Sequence, residues 1–294
     1  MNTADLNGFL MESWLILSNC QTFGLANSLK LLNPRFRIDS MDVWGFRKNI
    51  EKYKEDLPRY FRVVVHPQFR NIDFDFTIAQ NLDFIPSINF DAYHPDVCYA
   101  FSNGPIDSPM GSYHSMIVLA AYEAGLTTEA TRKLFRRDVF ERCDFFSRWE
   151  QERTQLLKHF SQYGLDISSS FAQWSRGDAF MYSVNHPKIR CIYDIARIFM
   201  KRLGVNTVES DLLPADNLLN GPCYPVYPEI AEVFGTRGSY LFKVPNEYRL
   251  ISLEKFIERS FEVYASLPPN SIQVESAVRP RYANIKAVIA EAAR

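Results

Sequence analysis

Apolar and polar positions alternate along this chain in two different styles. Trp14-Leu-Ile-Leu17 is a short apolar run of the kind a buried strand makes. Leu25, Leu29 and Leu32 then recur at helical spacing until Asn33-Pro34 ends the pattern. Ser18-Asn-Cys-Gln21 lies between the two, so the segment reads as strand, tight turn, helix. Phe36 to Trp44 reads as a second strand and Lys48 to Tyr60 as a charged helical stretch. Phe61-Arg-Val-Val-Val65 carries three consecutive β-branched residues, whose stiff side chains suit a pleated strand. Phe84 to Phe90 is a further strand candidate. Strands alternating with helices predict a small α/β unit with parallel strands joined through helices.

Helical spacing takes over further on. Ser115 to Ala124 is apolar nearly all round, as a buried helix is. Thr127 to Tyr163 holds neither Gly nor Pro and is rich in charged residues, Leu and Phe, which predicts two amphipathic helices. From Pro187 to Leu203, Ile189, Ile192, Ala196, Phe199 and Leu203 share one face. Pro187 suits the first helical position, Lys201 and Arg202 complement the C-terminal dipole, and Gly204 can cap it. Val205 to Tyr248 is loop-rich and proline-rich, with a short helix at Tyr227 to Phe234. Leu253 to Leu267 and Tyr282 to Ala293 read as final helices, separated by Pro268-Pro269. The fold class expected is α/β (α+β), a small parallel α/β subdomain embedded in a mainly helical fold. Its expected parts are residues 1–110, 111–204 and a loop-rich and helical part at 205–294 packed on the same fold.

Composition narrows the function classes. A formal net charge of −1 gives no basic field, which argues against a general nucleic-acid binder. The five cysteines are scattered and never spaced as C-x-x-C. That argues against a disulfide framework or a structural zinc, and for a reducing, cytoplasmic setting with no metal. Met1 to Met11 lacks the cationic start and apolar run of a secretory signal, and no stretch reaches the roughly 18 apolar residues of a membrane span. The 23 Phe and 15 Tyr fill cores first and line sugar or nucleotide pockets second.

Cys20 is the first candidate for chemistry. A thiol in a turn between strand and helix lies near unsatisfied amide N–H groups, which stabilise an anion and favour a nucleophilic thiolate. The same turn could cradle a phosphate, with Ser18, Asn19 and Gln21 adding short polar groups, or Cys20 could simply pack the turn. His186, in Asn185-His-Pro187, and His114, in Tyr113-His-Ser115, each precede a predicted helix. There a neutral imidazole could act as general base, or cap the helix. Ser112 or Ser115 could be the N-cap of the helix after His114. Tyr93-His-Pro-Asp96 follows an apparent strand and offers His94 and Asp96 as substrate contacts or as a loop-stabilising pair. His66, after the Val63–Val65 run, could face the same cleft. Arg132, Lys133, Arg136 and Arg137 could meet a phosphate but read first as a solvated helix face.

The common signatures are absent: no phosphate loop, dinucleotide turn, G-x-S-x-G elbow or H-E-x-x-H helix occurs. In their order along the chain, however, the strand with Ser18-Asn-Cys-Gln21, Tyr93-His-Pro-Asp96, Tyr113-His-Ser115 and Asn185-His-Pro187 resemble the WcbI family. The similarity runs from about Trp14 to Gly204, with Ser18 where family members usually carry Gly. The resemblance implies a mainly helical, cradle-like fold with an α/β subdomain, and coenzyme A or acetyl-CoA as ligand. It also implies acetylation of a sugar in bacterial capsular or surface polysaccharide biosynthesis, with a glycan acceptor and a polysaccharide-system protein as partners. On that reading Ser18, Asn19, Cys20, Gln21, Tyr113, Ser115 and Asn185 are candidates for holding coenzyme A, and Tyr93, His94 and Asp96 for the acceptor. His186 or His114 would be the base. Amides around Cys20, with the Asn19 side chain, would stabilise the oxyanion. Cys20 itself would be either a polarising residue in direct transfer, which we favour, or a transient thioester nucleophile. A looser likeness to SGNH-type hydrolases leaves a glycan esterase as the alternative, beside a non-catalytic module that binds coenzyme A or a glycan.

Overall fold

The computed structural model describes residues 12–292. The reading of Met1 to Met11 and the final residue of the helix predicted to end at Ala293 lie outside the described residues. The chain forms two compact units. The first takes the chain up to Asn89, Thr154–Arg176 and His186–Leu218; the second takes Phe90–Arg153, Gly177–Asn185 and the chain from Leu219 onward.

The first unit opens as the apolar pattern predicts. Strand β1 (Ser13–Ser18) is followed by helix α1 (Thr22–Leu32), strand β2 (Arg37–Asp42), helices α2 (Val43–Lys48) and α3 (Ile50–Asp56), and strands β3 (Arg62–Val65) and β4 (Leu82–Phe84). The four strands form one sheet in the order β2-β1-β3-β4, parallel throughout. On one face Leu15, Leu17, Val63 and Val65 pack with Val43, Phe46, Tyr53, Leu57, Phe69 and Phe76. Each such apolar side chain taken from water contributes about 1.5–3 kcal/mol. On the other, Trp14 meets Phe199 edge to face, with ring centroids 6.3 Å apart.

Three predicted boundaries move, each for a local reason. The second strand stops at Asp42 rather than Trp44, because the Asp42 carboxylate accepts the Gly45 N–H at 2.7 Å and starts α2. The charged stretch from Lys48 divides at Asn49 into α2 and α3, and Leu57–Arg59 closes it as a 3₁₀ turn. The strand expected over Phe84 to Phe90 ends at Phe84. Pro86 has no N–H to give a ladder, and the backbone of Ile88 is paired instead by the Gln21 side chain.

In the second unit β5 (Val97–Phe101) pairs antiparallel with β6 (Tyr113–Ser115), which runs into the buried helix α4 (Met116–Glu123). Ser115 is its N-cap, accepting from Val118 N at 3.0 Å. The two helices expected from Thr127 to Tyr163 are three: α5 (Thr128–Arg132), α6 (Arg137–Arg142) and α7 (Arg148–Ser161). Asp144, at φ 60°, supplies a break that no Gly or Pro announces. Arg132, Lys133, Arg136 and Arg137 accordingly flank a turn, and each is ion-paired at the surface.

Helix α8 (Ser168–Trp174) belongs to the first unit, strand β7 (Met181–Ser183) to the second, and strand β8 (His186–Pro187) with helix α9 (Ile189–Arg202) to the first. α9 starts two residues after Pro187, so Pro187 is not its first residue. The Asp216 carboxylate accepts the Ile189 N–H at 2.9 Å and fixes the start there. Gly204 follows its end at φ 68°, as expected of a C-terminal glycine. The second unit closes with α10 (Pro228–Phe234), β9 (Leu241–Lys243), β10 (Leu250–Ser252), α11 (Leu253–Ala265), β11 (Gln273–Val274) and α12 (Arg279–Ala292). There β11 pairs with β5, and α11 and α12 pack on α4. With 46% helix and 16% strand, the protein is a mainly helical fold carrying a small parallel sheet.

Candidate functional site

In the first sheet the chain leaves β1 toward β2 on one side, while β3 passes to β4 on the other. The carboxyl ends of β1 and β3 therefore flank a topological switch point, the place where open α/β sheets take ligands. Leu17 pairs with Val65, and the His66 N–H reaches Leu17 O at 2.7 Å. The turn carrying Cys20 and the residue His66 thus leave neighbouring strands side by side.

The turn is tied by its own residues. Asn19 O accepts from Thr22 N at 3.1 Å and from Thr22 Oγ1 at 2.6 Å, which opens α1. Asn19 Oδ1 accepts from Gln21 N at 3.1 Å and from the Cys20 thiol at 3.8 Å. Asn19 Nδ2 donates to Ser87 Oγ at 3.0 Å, and His66 Nε2 lies 3.0 Å from the same oxygen. Ser18 is the buried last residue of β1. Gln21 donates through Nε2 to Ile88 O at 2.8 Å and accepts through Oε1 from Ile88 N at 3.1 Å.

Electrostatics here differ from the expectation of an easily ionised thiol. Burial pushes the Cys20 thiol up to about 11, against the smaller pull of the Cys20 and Gln21 backbone N–H groups. Desolvation outweighs the start of α1. Burial likewise lowers His66 to about 4, with His159 adding to it. His186 is held at about 4 by burial, with Asp216 pulling the other way. Its neutrality comes from desolvation, since the helix begins only at Ile189.

The remaining candidates lie in the second unit. The Tyr113 hydroxyl donates to Asn185 Oδ1, and Asn185 Nδ2 donates to Tyr99 Oη at 2.9 Å, so these two candidates meet. His114 is fully buried, with Nδ1 3.0 Å from the Tyr264 hydroxyl and Nε2 2.9 Å from Ile106 O. Tyr93, His94 and Asp96 are interior residues. His94 Nε2 donates to Tyr224 O at 3.1 Å. Asp96 accepts from Ile117 N at 2.8 Å and from the Tyr227 hydroxyl at 2.9 Å, and burial raises its carboxyl to about 6. His94 and Asp96 each bond elsewhere and do not form the His–Asp pair considered from sequence.

Comparison with known families decides the assignment: residues 13–208 match the family described as "Polysaccharide biosynthesis enzyme WcbI". The chain belongs to the WcbI family. A solved structure described as WcbI, a novel polysaccharide biosynthesis enzyme, matches with a TM-score of 0.67 over 96% of this chain and 94% of that one. It is described as the native protein without a disulfide bond between coenzyme A and one of its cysteines. At 15% identity that likeness speaks for the fold alone. No curated protein matches.

This WcbI-family chain has all five cysteines as thiols. Among the described residues no group of three or more His, Cys, Asp or Glu side chains is placed to hold a metal ion, and no helix is long and apolar enough to cross a membrane. Sequence reasoning missed Ser87 and Asp216 and set His66 aside. Ser87 follows Pro86, which was the available signal that the strand reading failed there. For Asp216, 27 residues beyond Ile189, only the fold supplies the connection.

Proposed function

We propose that this WcbI-family enzyme transfers the acetyl group of acetyl-CoA to a sugar hydroxyl in bacterial capsular or surface polysaccharide biosynthesis, in the cytoplasm. The observation that carries the reading is a partly exposed cysteine in a hydrogen-bonded turn at the sheet's switch point; the description of the solved WcbI structure names coenzyme A and a cysteine together, in a form without a disulfide bond between them. Cys98, Cys143 and Cys191 are buried, and Cys223 lies in the second unit.

Direct transfer fits the electrostatics better than an acetyl-cysteine route. A thiol near 11 is ionised in only about one molecule in ten thousand at pH 7. The proposed oxyanion donor is the backbone amide of Cys20, because the Gln21 N–H is already held by Asn19 Oδ1. The Asn19 carboxamide, whose oxygen faces the thiol, is the positioning element beside it. His186 is the proposed base: burial keeps its ring neutral at pH 7. Ser18, Asn19, Cys20 and Gln21 are the proposed thiol-end set for coenzyme A.

An esterase built on Ser87 and His66 would need the ring to accept the serine proton. Gln68 N donates to His66 Nδ1 at 3.1 Å, so the neutral ring carries its proton on Nε2, facing Ser87. The pair runs in the wrong direction for that chemistry. The test is release of the coenzyme A thiol from acetyl-CoA with a panel of sugar acceptors. Acceptor-dependent release, lowered about 100-fold or more by His186→Ala, supports the proposal. Hydrolysis of acetylated glycans without coenzyme A would replace it with the esterase.

A further inference from the structure

The Ser87 hydroxyl, buried and distant in sequence from the Cys20 turn, has two nitrogens converging on one oxygen. Asn19 Nδ2 and His66 Nε2 each lie 3.0 Å from Ser87 Oγ. The direction of every bond follows from the ends of the chain of contacts. Gln68 N–H donates to His66 Nδ1 at 3.1 Å, which makes that nitrogen the lone-pair side of a neutral imidazole. Nε2 then carries the proton and donates to Ser87. The amide nitrogen of Asn19 donates to the same oxygen, so both acceptor positions of the hydroxyl are filled.

The other end of Asn19 is fixed as firmly. Its Oδ1 takes the Gln21 N–H at 3.1 Å and the Cys20 thiol at 3.8 Å. Turning the carboxamide over would set its NH₂ against the Gln21 N–H, two donors facing each other. Gln21 and Ser87 therefore select the same orientation. An ionised Cys20 would face the lone pairs of the Asn19 oxygen, an arrangement that favours the neutral S–H.

We propose that Ser87 and His66 are positioning residues which lock the Asn19 carboxamide with its oxygen on the Cys20 sulfur, so that this thiol is presented as a hydrogen-bond donor and not as a standing nucleophile. Neither side chain touches a ligand in this role; both act through Asn19. His66 is neutral across the working range, lowered first by burial and second by its neighbour His159. The thiol itself is shifted by burial and by two backbone N–H groups.

The experiment is alkylation of the full chain by iodoacetamide from pH 6.5 to 10, read at Cys20 by peptide mass mapping. Cys223, also partly exposed, serves as the internal reference. Ser87→Ala removes the Ser87 hold on the amide nitrogen of Asn19 and leaves its oxygen to the Gln21 N–H and the Cys20 thiol. The Cys20 rate at pH 8 then rises at least fivefold while Cys223 is unchanged. Ser87→Thr keeps the hydroxyl and keeps the wild-type rate, a rescue that mere loosening of the turn would not give. His66→Ala removes one of the two donors and gives a smaller rise in the same direction; it carries the test alone if Ser87→Ala does not fold. A Cys20 rate unchanged in Ser87→Ala, or raised as much by Ser87→Thr, overturns the proposal, as does an unchanged His66→Ala. The readout is taken without coenzyme A, so its failure is a separate result from failure of the acetyltransfer reading.

Discussion

Gln21 spends both ends of its carboxamide on the backbone of Ile88, at 2.8 and 3.1 Å. The side chain does what a neighbouring strand would otherwise do for a segment interrupted by Pro86. Gln21→Ala leaves a buried N–H and C=O without these partners and is expected to cost about 2 kcal/mol or more, read as a lower urea midpoint. Asn19, Cys20 and Gln21 were legible in sequence because a strand, a polar turn and a helix stand next to one another. Ser87 and His66 were not legible as partners of that turn. They reach it only because β3 lies beside β1 and β4 beside β3, which brings Ser87 to Asn19, 68 residues away, and His66 to Ser87, 21 residues away. The ionisation of Cys20 was misjudged for a related reason: local sequence shows the helix start but not the burial that outweighs it.

Between elements, the packing of α1 on α9 depends on one missing side chain. A Cβ on Gly24 would lie 3.0 Å from Ile192 Cδ1 and 3.2 Å from Ile189 Cδ1. Gly24→Ala trades that contact against a helix-propensity gain of about 1 kcal/mol and is expected to be nearly neutral. Gly24→Val adds two methyls and is expected to cost about 1–3 kcal/mol in chemical denaturation. It would also displace the start of α1 and slow the proposed acetyl transfer, because the Cys20 turn leads into that helix. The periodicity of α1, α4 and α11 located them from sequence. Boundaries set by distant capping groups, such as Asp216 at the start of α9, could not be placed that way.

Across the whole molecule, burial lowers the pKa of all five histidines. His66, His94 and His186 lie at about 4, while an unfolded imidazole titrates near 6.5. Between these values the unfolded chain binds more protons, so their contribution to stability is lost as the pH falls from about 6.5 toward 4. Asp96, raised to about 6, works in the opposite direction, as do Glu152 and Glu275, which burial also raises. The histidines outnumber these acids, and the net expectation is a lower urea midpoint at pH 5 than at pH 7. His94→Gln, which can keep the donor to Tyr224 O, should flatten that slope; an equal or higher midpoint at pH 5 in the wild type would contradict it.

The fold class was visible in the alternation of short strands and helices, whereas the division into two units built from interleaved stretches depends on long-range packing that no local pattern records. The central claim is that this WcbI-family fold takes coenzyme A at the Cys20 turn. It is tested most directly by the thermal unfolding midpoint with increasing coenzyme A, beside acetyl-CoA and ADP, in wild type and Cys20→Ala. A ligand held by the folded state alone raises the midpoint, by the equivalent of about 2.7 kcal/mol at a hundred times its Kd. The account predicts a saturable rise with coenzyme A and acetyl-CoA, larger than with ADP and reduced in Cys20→Ala. No rise at millimolar coenzyme A would contradict it.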